Sequence, residues 1–214
     1  MGKVREYEGT EITILYDVAR CFHAEECIHG APGVFEKEAR PWVRPDGEDP
    51  AKTAEVIQRC PTGALHYRAK DPSLDERAPV ENSVTVTANG PLLAHADMEI
   101  NLPDGVLAET RAAFCRCGAS ANKPFCDDSH FRIGFSDPGP NASSNAVAGA
   151  TAAGGKLSLS PVANGPLLAK GSVVIKNAAG EIAAVATQTA FCRCGASANK
   201  PFCDGSHKRI GFVG

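Results

Sequence analysis

The chain has 214 residues, of which 22 are Lys or Arg and 25 are Asp or Glu, so its formal net charge is −3. A near-neutral chain has no general electrostatic attraction for nucleic acid or for an anionic membrane. No apolar run approaches the roughly 18 residues of a membrane span, and Met1 to Thr10 contain no apolar signal segment. We therefore expect a cytoplasmic protein with neither nucleic acid nor a membrane as a partner.

The chain has nine cysteines, an odd and unusually large number. An odd number excludes a complete set of internal disulfides, and disulfides are rare in a reducing cytoplasm. The cysteines form three groups of three, at positions 21/27/60, 115/117/126 and 192/194/203. Three cysteines in each group indicate three metal sites.

The first 70 residues predict a small domain of mixed structure. Ile12 and Ile14 alternate with polar residues, which predicts a short strand. The pair Asp49-Pro50 predicts the start of a helix that reaches about residue 59, with Asp as the N-cap and Pro in the first helical position. Residues 63–67 predict a closing strand.

The cysteines of this domain follow a cluster-binding pattern with one gap. Cys21 and Cys27 fill the outer positions of the ferredoxin run C-x2-C-x2-C, Cys60-Pro61 supplies the remote C-P, and Ala24 stands in the middle position. Residues 10 to 70 resemble single-cluster ferredoxins whose missing central ligand leaves a [3Fe–4S] cluster. The resemblance implies that Cys21, Cys27 and Cys60 hold this cluster.

Two alternatives remain open for this site. A [4Fe–4S] cluster would take a fourth ligand from His23, from His29 or from outside the chain. A single zinc ion would take three cysteines and a histidine.

A direct repeat dominates the second half of the chain. Residues 114–127 recur without change at 191–204, a shift of 77 from Cys115 to Cys192, and residues 89–94 recur at 164–169. Alternation predicts strands at 84–87 and 157–160, followed by an Asn-Gly-Pro turn and a second strand pair near 98–107 and 173–185. A repeat of about 55 residues forms only a marginal core, so we expect the two repeats to pack as one β domain.

The repeated pattern C-x-C-x2-S-x3-P-x-C-D-[DG]-S-H places four candidate ligands, three cysteines and one histidine, close together in sequence. Residues two apart share one face of an extended segment, so Cys115 and Cys117 can bind one metal. Cys126 and His130 are four apart, as in a loop that enters a helical turn, and Asp127 and Ser129 are candidates to cap that turn. Three cysteines and a histidine are also a zinc set, although zinc sites more often use C-x2–4-C than C-x-C.

These residues resemble the CDGSH iron–sulfur (mitoNEET-like) family, whose motif stands verbatim at residues 203–207. The resemblance covers residues 80 to 214 and implies one [2Fe–2S] cluster in each repeat. The implied iron ligands are Cys115, Cys117, Cys126 and His130 in the first repeat, and Cys192, Cys194, Cys203 and His207 in the second. Family members form intertwined homodimers, so the tandem repeats imply a monomer with an internal pseudo-dimer. Asp128 departs from the motif glycine, and Asp tolerates a positive φ better than most residues.

The sequence thus predicts an α+β chain of two structural parts, a ferredoxin-like domain and a β-rich CDGSH pseudo-dimer. The predicted boundaries are 1–75 for the ferredoxin-like domain, 80–136 for the first repeat, 137–156 for a linker and 157–214 for the second repeat. We expect electron transfer with a redox partner protein. The alternative is cluster storage, transfer to an apo acceptor, or redox or pH sensing. Without a phosphate loop or a nucleophile motif, we expect no enzyme and no catalytic residue, beyond a possible component of an oxidoreductase.

Overall fold

The computed structural model describes residues 4–142 and 154–214, and the chain divides into two compact units, Met1–Arg77 and Ala78–Gly214. The larger part of the predicted linker at 137–156, namely 143–153, lies outside the described residues. Within the two described stretches, no helix is long and apolar enough to cross a membrane.

The first unit combines a three-stranded antiparallel sheet with two short helices. Its elements are β1 (Val4–Tyr7), β2 (Ile12–Asp17), α1 (Glu26–Gly30), α2 (Pro50–Gln58) and β3 (Leu65–Ala69). β2 lies in the middle and pairs with β1 and β3. Ile12, Ile14 and Tyr16 alternate toward the interior, which is the period expected of a strand with one buried face.

The predicted helix is confirmed, together with its cap. The Asp49 carboxylate accepts hydrogen bonds from the backbone N–H groups of Ala51 and Lys52, at 2.9 and 3.3 Å. Val56 and Ile57 carry the buried face of α2 against the core of this unit. Capping by Asp49 and the fixed φ of Pro50 explain why the local sequence was sufficient to predict the start of this helix.

In its described residues, the second unit has six strands and two single-turn helices. Its elements are β4 (Ser83–Val86), β5 (Leu92–Leu102), β6 (Gly105–Phe114), α3 (Ser129–Arg132), β7 (Leu157–Pro161), β8 (Leu167–Lys176), β9 (Ile182–Phe191) and α4 (Ser206–Arg209). This mixture of strands and helices agrees with the predicted α+β class. The hairpin strands start earlier than predicted, because Ala94 and Ala96 continue the buried face of β5 with side chains too small to give a strong pattern.

The two repeats share one sheet and exchange strand partners. β4 pairs antiparallel with β5 of its own repeat and parallel with β8 of the other. In the same way, β7 pairs antiparallel with β8 and parallel with β5. The first strand of each repeat is therefore inserted beside the second strand of the other, and the predicted joint packing is confirmed.

One buried amide ties this sheet together. Asn82 is 1% exposed, and its side chain donates to the carbonyl oxygens of Gly155 and Ser172 at 2.8 and 3.0 Å. Its own carbonyl oxygen accepts from the backbone N–H of Asp97 at 3.0 Å. A buried polar side chain with all these bonds satisfied links segments of both repeats.

Candidate metal centres

The fold closes a loop that brings the two halves of the first motif together. β6 ends at Phe114, which forms a bridge with Phe125 across the loop. The backbone N–H of Cys115 donates to Pro124 O, and that of Cys126 donates to Ala113 O, both at 2.9 Å. These bonds place Cys126 beside the end of β6, where the first two cysteines lie.

The second motif is closed by the same contacts. Phe191 forms a bridge with Phe202, and Cys192 N–H and Cys203 N–H donate to Pro201 O and Ala190 O, each at 2.8 Å. Because the loop sequences are identical, the identical closure follows from the sequence. We call the first motif site one and the second site two.

The ligand atoms meet in pairs at separations that suit a tetrahedral metal. The Sγ atoms of Cys115 and Cys117 are 3.8 Å apart, and those of Cys192 and Cys194 are 3.7 Å apart. Two thiolates at about 2.3 Å from one tetrahedral metal lie about 3.8 Å apart, and a thiolate and an imidazole nitrogen about 3.5 Å apart. A disulfide would need about 2.05 Å.

The cysteine–histidine pairs lie at the separation expected for a thiolate and an imidazole nitrogen on one metal. Cys126 Sγ lies 3.6 Å from His130 Nδ1, and Cys203 Sγ lies 3.4 Å from His207 Nδ1. In both sites Nδ1 is thus the imidazole nitrogen that faces the sulfur.

Each histidine lies in a single-turn helix. In site one, the Asp127 carboxylate caps the start of this turn, as predicted: it accepts hydrogen bonds from Ser129 N–H at 3.1 Å and from Ala121 N–H at 2.8 Å. The residue before each turn has a left-handed backbone, with φ 65° at Asp128 and φ 85° at Gly205. Both positions thus have a positive φ, which glycine adopts freely and which aspartate tolerates better than most residues.

Burial and a cysteine–cysteine hydrogen bond shift the pKa values of site one. Burial raises the pKa of the Cys126 thiol to about 12. A hydrogen bond from Cys117 lowers the pKa of Cys115 to about 6, and the same bond raises that of Cys117. Burial also lowers the pKa of His130, a shift toward the neutral imidazole that a metal ligand requires.

The arginines between the paired cysteines have a role that the sequence reasoning missed. Arg116 and Arg193 are 1% and 3% exposed, so neither side chain is solvated. Arg116 Nε donates to Gly90 O and Arg193 Nε donates to Gly165 O, both at 2.9 Å. They anchor the cysteine loops to the Asn-Gly-Pro turns. The recurrence of arginine in both C-R-C runs was the available signal.

The repeated serine of the motif also has a structural role. Ser120 Oγ donates to Phe125 O at 2.7 Å and accepts from Asn122 N–H at 3.0 Å. Ser197 makes the same bonds to Phe202 and Asn199, at 2.6 and 3.0 Å. These buried hydroxyls hold the loop in shape between its second and third ligands.

The two cysteine loops pack against each other across the repeats. A Cβ built on Gly118 would lie 2.7 Å from Cys194 O, and one built on Gly195 would lie 2.6 Å from Cys117 O. Only glycine allows backbones to approach this closely. The two sites are therefore neighbours joined by backbone contact.

The cysteines of the first unit border a cavity of about 360 Å³. Cys21 precedes α1, Cys27 lies within α1 and Cys60 follows α2. Burial, together with the nearby Cys60, raises the pKa of Cys27 to about 11. Burial and a hydrogen bond to Cys21 raise the pKa of Tyr16, which also lines the cavity.

His23 and Ala24 lie on the rim of this cavity. His23 is exposed and lines the cavity, and its backbone N–H donates to Cys21 Sγ at 3.4 Å. Trp42 forms another part of the wall, with its ring 5.0 Å from Tyr16 and 5.8 Å from Phe35. The structure thus places Cys21, Cys27 and Cys60 on the wall of one cavity.

Comparison with known proteins gives two families. The family described as "Divergent 4Fe-4S mono-cluster" matches residues 7–70, and the family described as "Iron-binding zinc finger CDGSH type" matches residues 89–131 and 164–208. Two proteins named "Uncharacterized protein YjdI", from Escherichia coli K12 and O157:H7, are each 39% identical over 69 residues. Each match covers 32% of this chain and 91% of the relative. No solved structure gives a significant match.

Proposed function

Because the chain belongs to the iron–sulfur proteins, with a divergent 4Fe–4S mono-cluster domain followed by two CDGSH domains, we propose that it transfers electrons through three clusters. Sites one and two each hold a [2Fe–2S] cluster through three cysteines and one histidine. Cys21, Cys27 and Cys60 hold a [3Fe–4S] cluster.

The pairing of the ligands carries this proposal. Among the residues that the structure describes, the group of ligand atoms lying within 4.8 Å of one another is Cys126, Asp128 and His130. Cys115 and Cys117 form a close pair outside that group. One zinc ion would need all four ligands mutually close, whereas a binuclear cluster needs two pairs, one for each iron.

The donor set gives sites one and two a redox character. A neutral imidazole in place of one thiolate leaves a cluster less negative and raises its potential, as histidine ligation does in Rieske centres. The backbone contact between the two cysteine loops supports electron exchange between the two sites. The first-unit cluster, with thiolates alone, has the lower potential.

A cluster with three iron atoms fits the ligands of the first unit best. Three cysteines border the cavity, and Ala24 stands where a fourth would be. The second candidate is [4Fe–4S], which the name of the matching family favours, with His23, His29 or an outside group as the fourth ligand. Electron paramagnetic resonance of the protein as isolated separates the two, because oxidised [3Fe–4S] is paramagnetic whereas oxidised [4Fe–4S] and [2Fe–2S] centres are silent.

The finer architecture belongs to the same proposal. The exchange of strand partners between repeats supports a pseudo-dimer within one chain, and the first unit corresponds to a ferredoxin-like domain. Such a chain functions as a monomer with a redox partner protein. Light scattering of the loaded protein would give the mass of one chain, and a stable dimer would contradict this part.

Cluster transfer is the second candidate function, and exposure at site two favours it. Cys194, Cys203 and His207 are partly exposed, whereas all four ligands of site one are buried. Stopped-flow reduction by a ferredoxin reductase, compared with cluster transfer to an apo-ferredoxin, decides between the two. Electron transfer predicts rapid reduction with the clusters retained; transfer faster than reduction would favour the second candidate.

A further inference from the structure

Sites one and two differ at one position of the ligand-bearing turn. Asp128 stands in site one where Gly205 stands in site two. The backbone angles are nearly the same, φ 65° and ψ 6° against φ 85° and ψ 1°. The substitution therefore keeps the turn and adds a carboxylate to site one.

This carboxylate lies on the ligand side of the imidazole. Asp128 Oδ1 is 3.9 Å from His130 Nδ1, the nitrogen that faces Cys126 Sγ at 3.6 Å. A carboxylate that only oriented a ligating histidine would bond the other ring nitrogen, Nε2. Together the three side chains offer one ligand atom each within 4.8 Å of one another.

We propose that Asp128 is a reserve ligand of the outer iron in site one. When the bond between His130 and iron breaks, the carboxylate oxygen bonds the iron in its place. One iron–nitrogen bond is replaced by one iron–oxygen bond, and no electron is transferred. Carboxylates are established ligands of iron in proteins.

As a consequence, the two sites differ in how firmly they hold their clusters. In site two, loss of the His207 bond leaves the iron open to water or to an acceptor, because Gly205 offers no side chain. Site one therefore retains its cluster, while site two is the one that releases it. The greater exposure of Cys194, Cys203 and His207 acts in the same direction. This inference rests on the proposed binding of a cluster in each site.

The test uses matched histidine variants of the full chain, followed by visible absorbance and by iron and sulfide content. His130→Ala keeps both [2Fe–2S] clusters, whereas His207→Ala loses the cluster of site two. Adding Asp128→Gly to His130→Ala speeds cluster loss from site one by about tenfold or more, a size typical for removing a group beside a metal. Adding Gly205→Asp to His207→Ala slows loss from site two to a similar extent.

The ¹⁴N coupling in the spectrum of the reduced cluster tests whether His130 is a ligand or only a structural residue. In reduced His130→Ala, the ¹⁴N coupling of site one disappears while its cluster signal remains. Equal rates of cluster loss in His130→Ala and His207→Ala, unaffected by either change at 128 or 205, would overturn the inference and leave the proposed function intact. A wild-type chain without iron and sulfide at these sites would instead overturn the proposed function. If His130→Ala does not fold, Asp128→Gly alone decides: it must speed cluster loss from site one in the otherwise wild-type chain, and an unchanged rate would overturn the inference.

Discussion

Gly118 lies so close to Cys194 that a Cβ on the glycine would stand 2.7 Å from the cysteine's carbonyl oxygen. The reciprocal approach of Gly195 to Cys117 O makes this a contact between the two repeats. Each cysteine loop therefore forms part of the support for the other, and damage to one should reach both sites.

Gly118→Ala tests this contact. The alanine meets a backbone carbonyl and also has to adopt φ +85°. We expect the free energy of unfolding to fall by about 2 to 3 kcal/mol more than the strain of a left-handed alanine alone would cost. The reason is that the backbone carbonyl of Cys194 cannot move aside as a side chain can. Thermal unfolding of the loaded protein measures it. Gly134→Ala is the matched control, since Gly134 has φ +61° and no atom within 4 Å of an added Cβ; equal losses in the two variants would refute the contact.

Asn82→Ala tests the shared sheet. The change leaves the Gly155 and Ser172 carbonyls and the Asp97 N–H without their buried partner, at a cost of about 3 kcal/mol. Denaturant unfolding of the second unit measures it within the full chain. Asn101→Ala, at a half-buried side chain that bonds two serine hydroxyls, should cost about 1 kcal/mol or less. A smaller loss at Asn82 than at Asn101 would contradict the role given to this amide.

His130→Cys and His207→Cys test the ligand assignment. A fourth thiolate makes each cluster more negative, so the potential of the altered site should fall by on the order of 200 mV. Protein-film voltammetry of each single variant measures the shift, with the unaltered site as the internal reference. Potentials that stay unchanged in both variants would defeat the assignment of histidine as a ligand.

Asp204→Asn tests the capping of the turn in site two through its pH dependence. Hydrogen bonds from Ala198 N–H and from Ser206 hold the pKa of Asp204 well below its usual range. A carboxylate with a lowered folded pKa stabilises the fold above its unfolded pKa of about 3.9 and loses this effect as the pH falls further.

The wild type should therefore have a higher Tm than Asp204→Asn above pH of about 5, and the difference should shrink at lower pH. Scanning calorimetry at several pH values measures this. A difference that grows as the pH falls would contradict the account.

Local features of the chain were predictable because they depend on neighbours in sequence. Asp49 and Pro50 define the start of α2 by capping, and the identical residues 114–127 and 191–204 fold into identical loops. The clustering of Cys21 and Cys27 with the remote Cys60 came from the ferredoxin resemblance.

The features that escaped prediction depend on distant segments. The parallel pairing of β4 with β8 joins segments about 90 residues apart, and no local pattern specifies such a partner. The burial of Arg116 was missed because arginine is usually exposed, and its bonds go to Gly90 O and Thr87 O on another turn. By contrast, the position of Asp128 beside Nδ1 rather than Nε2 is local, but it depends on how the His130 ring is turned, which the sequence alone does not specify.

Analysis of iron, acid-labile sulfide and zinc in protein purified without oxygen tests the central claim most directly. The account predicts a coloured protein with about seven iron atoms per chain, from two [2Fe–2S] clusters and one [3Fe–4S] cluster, a comparable amount of sulfide and no stoichiometric zinc. A colourless protein that contains zinc and no acid-labile sulfide would contradict it.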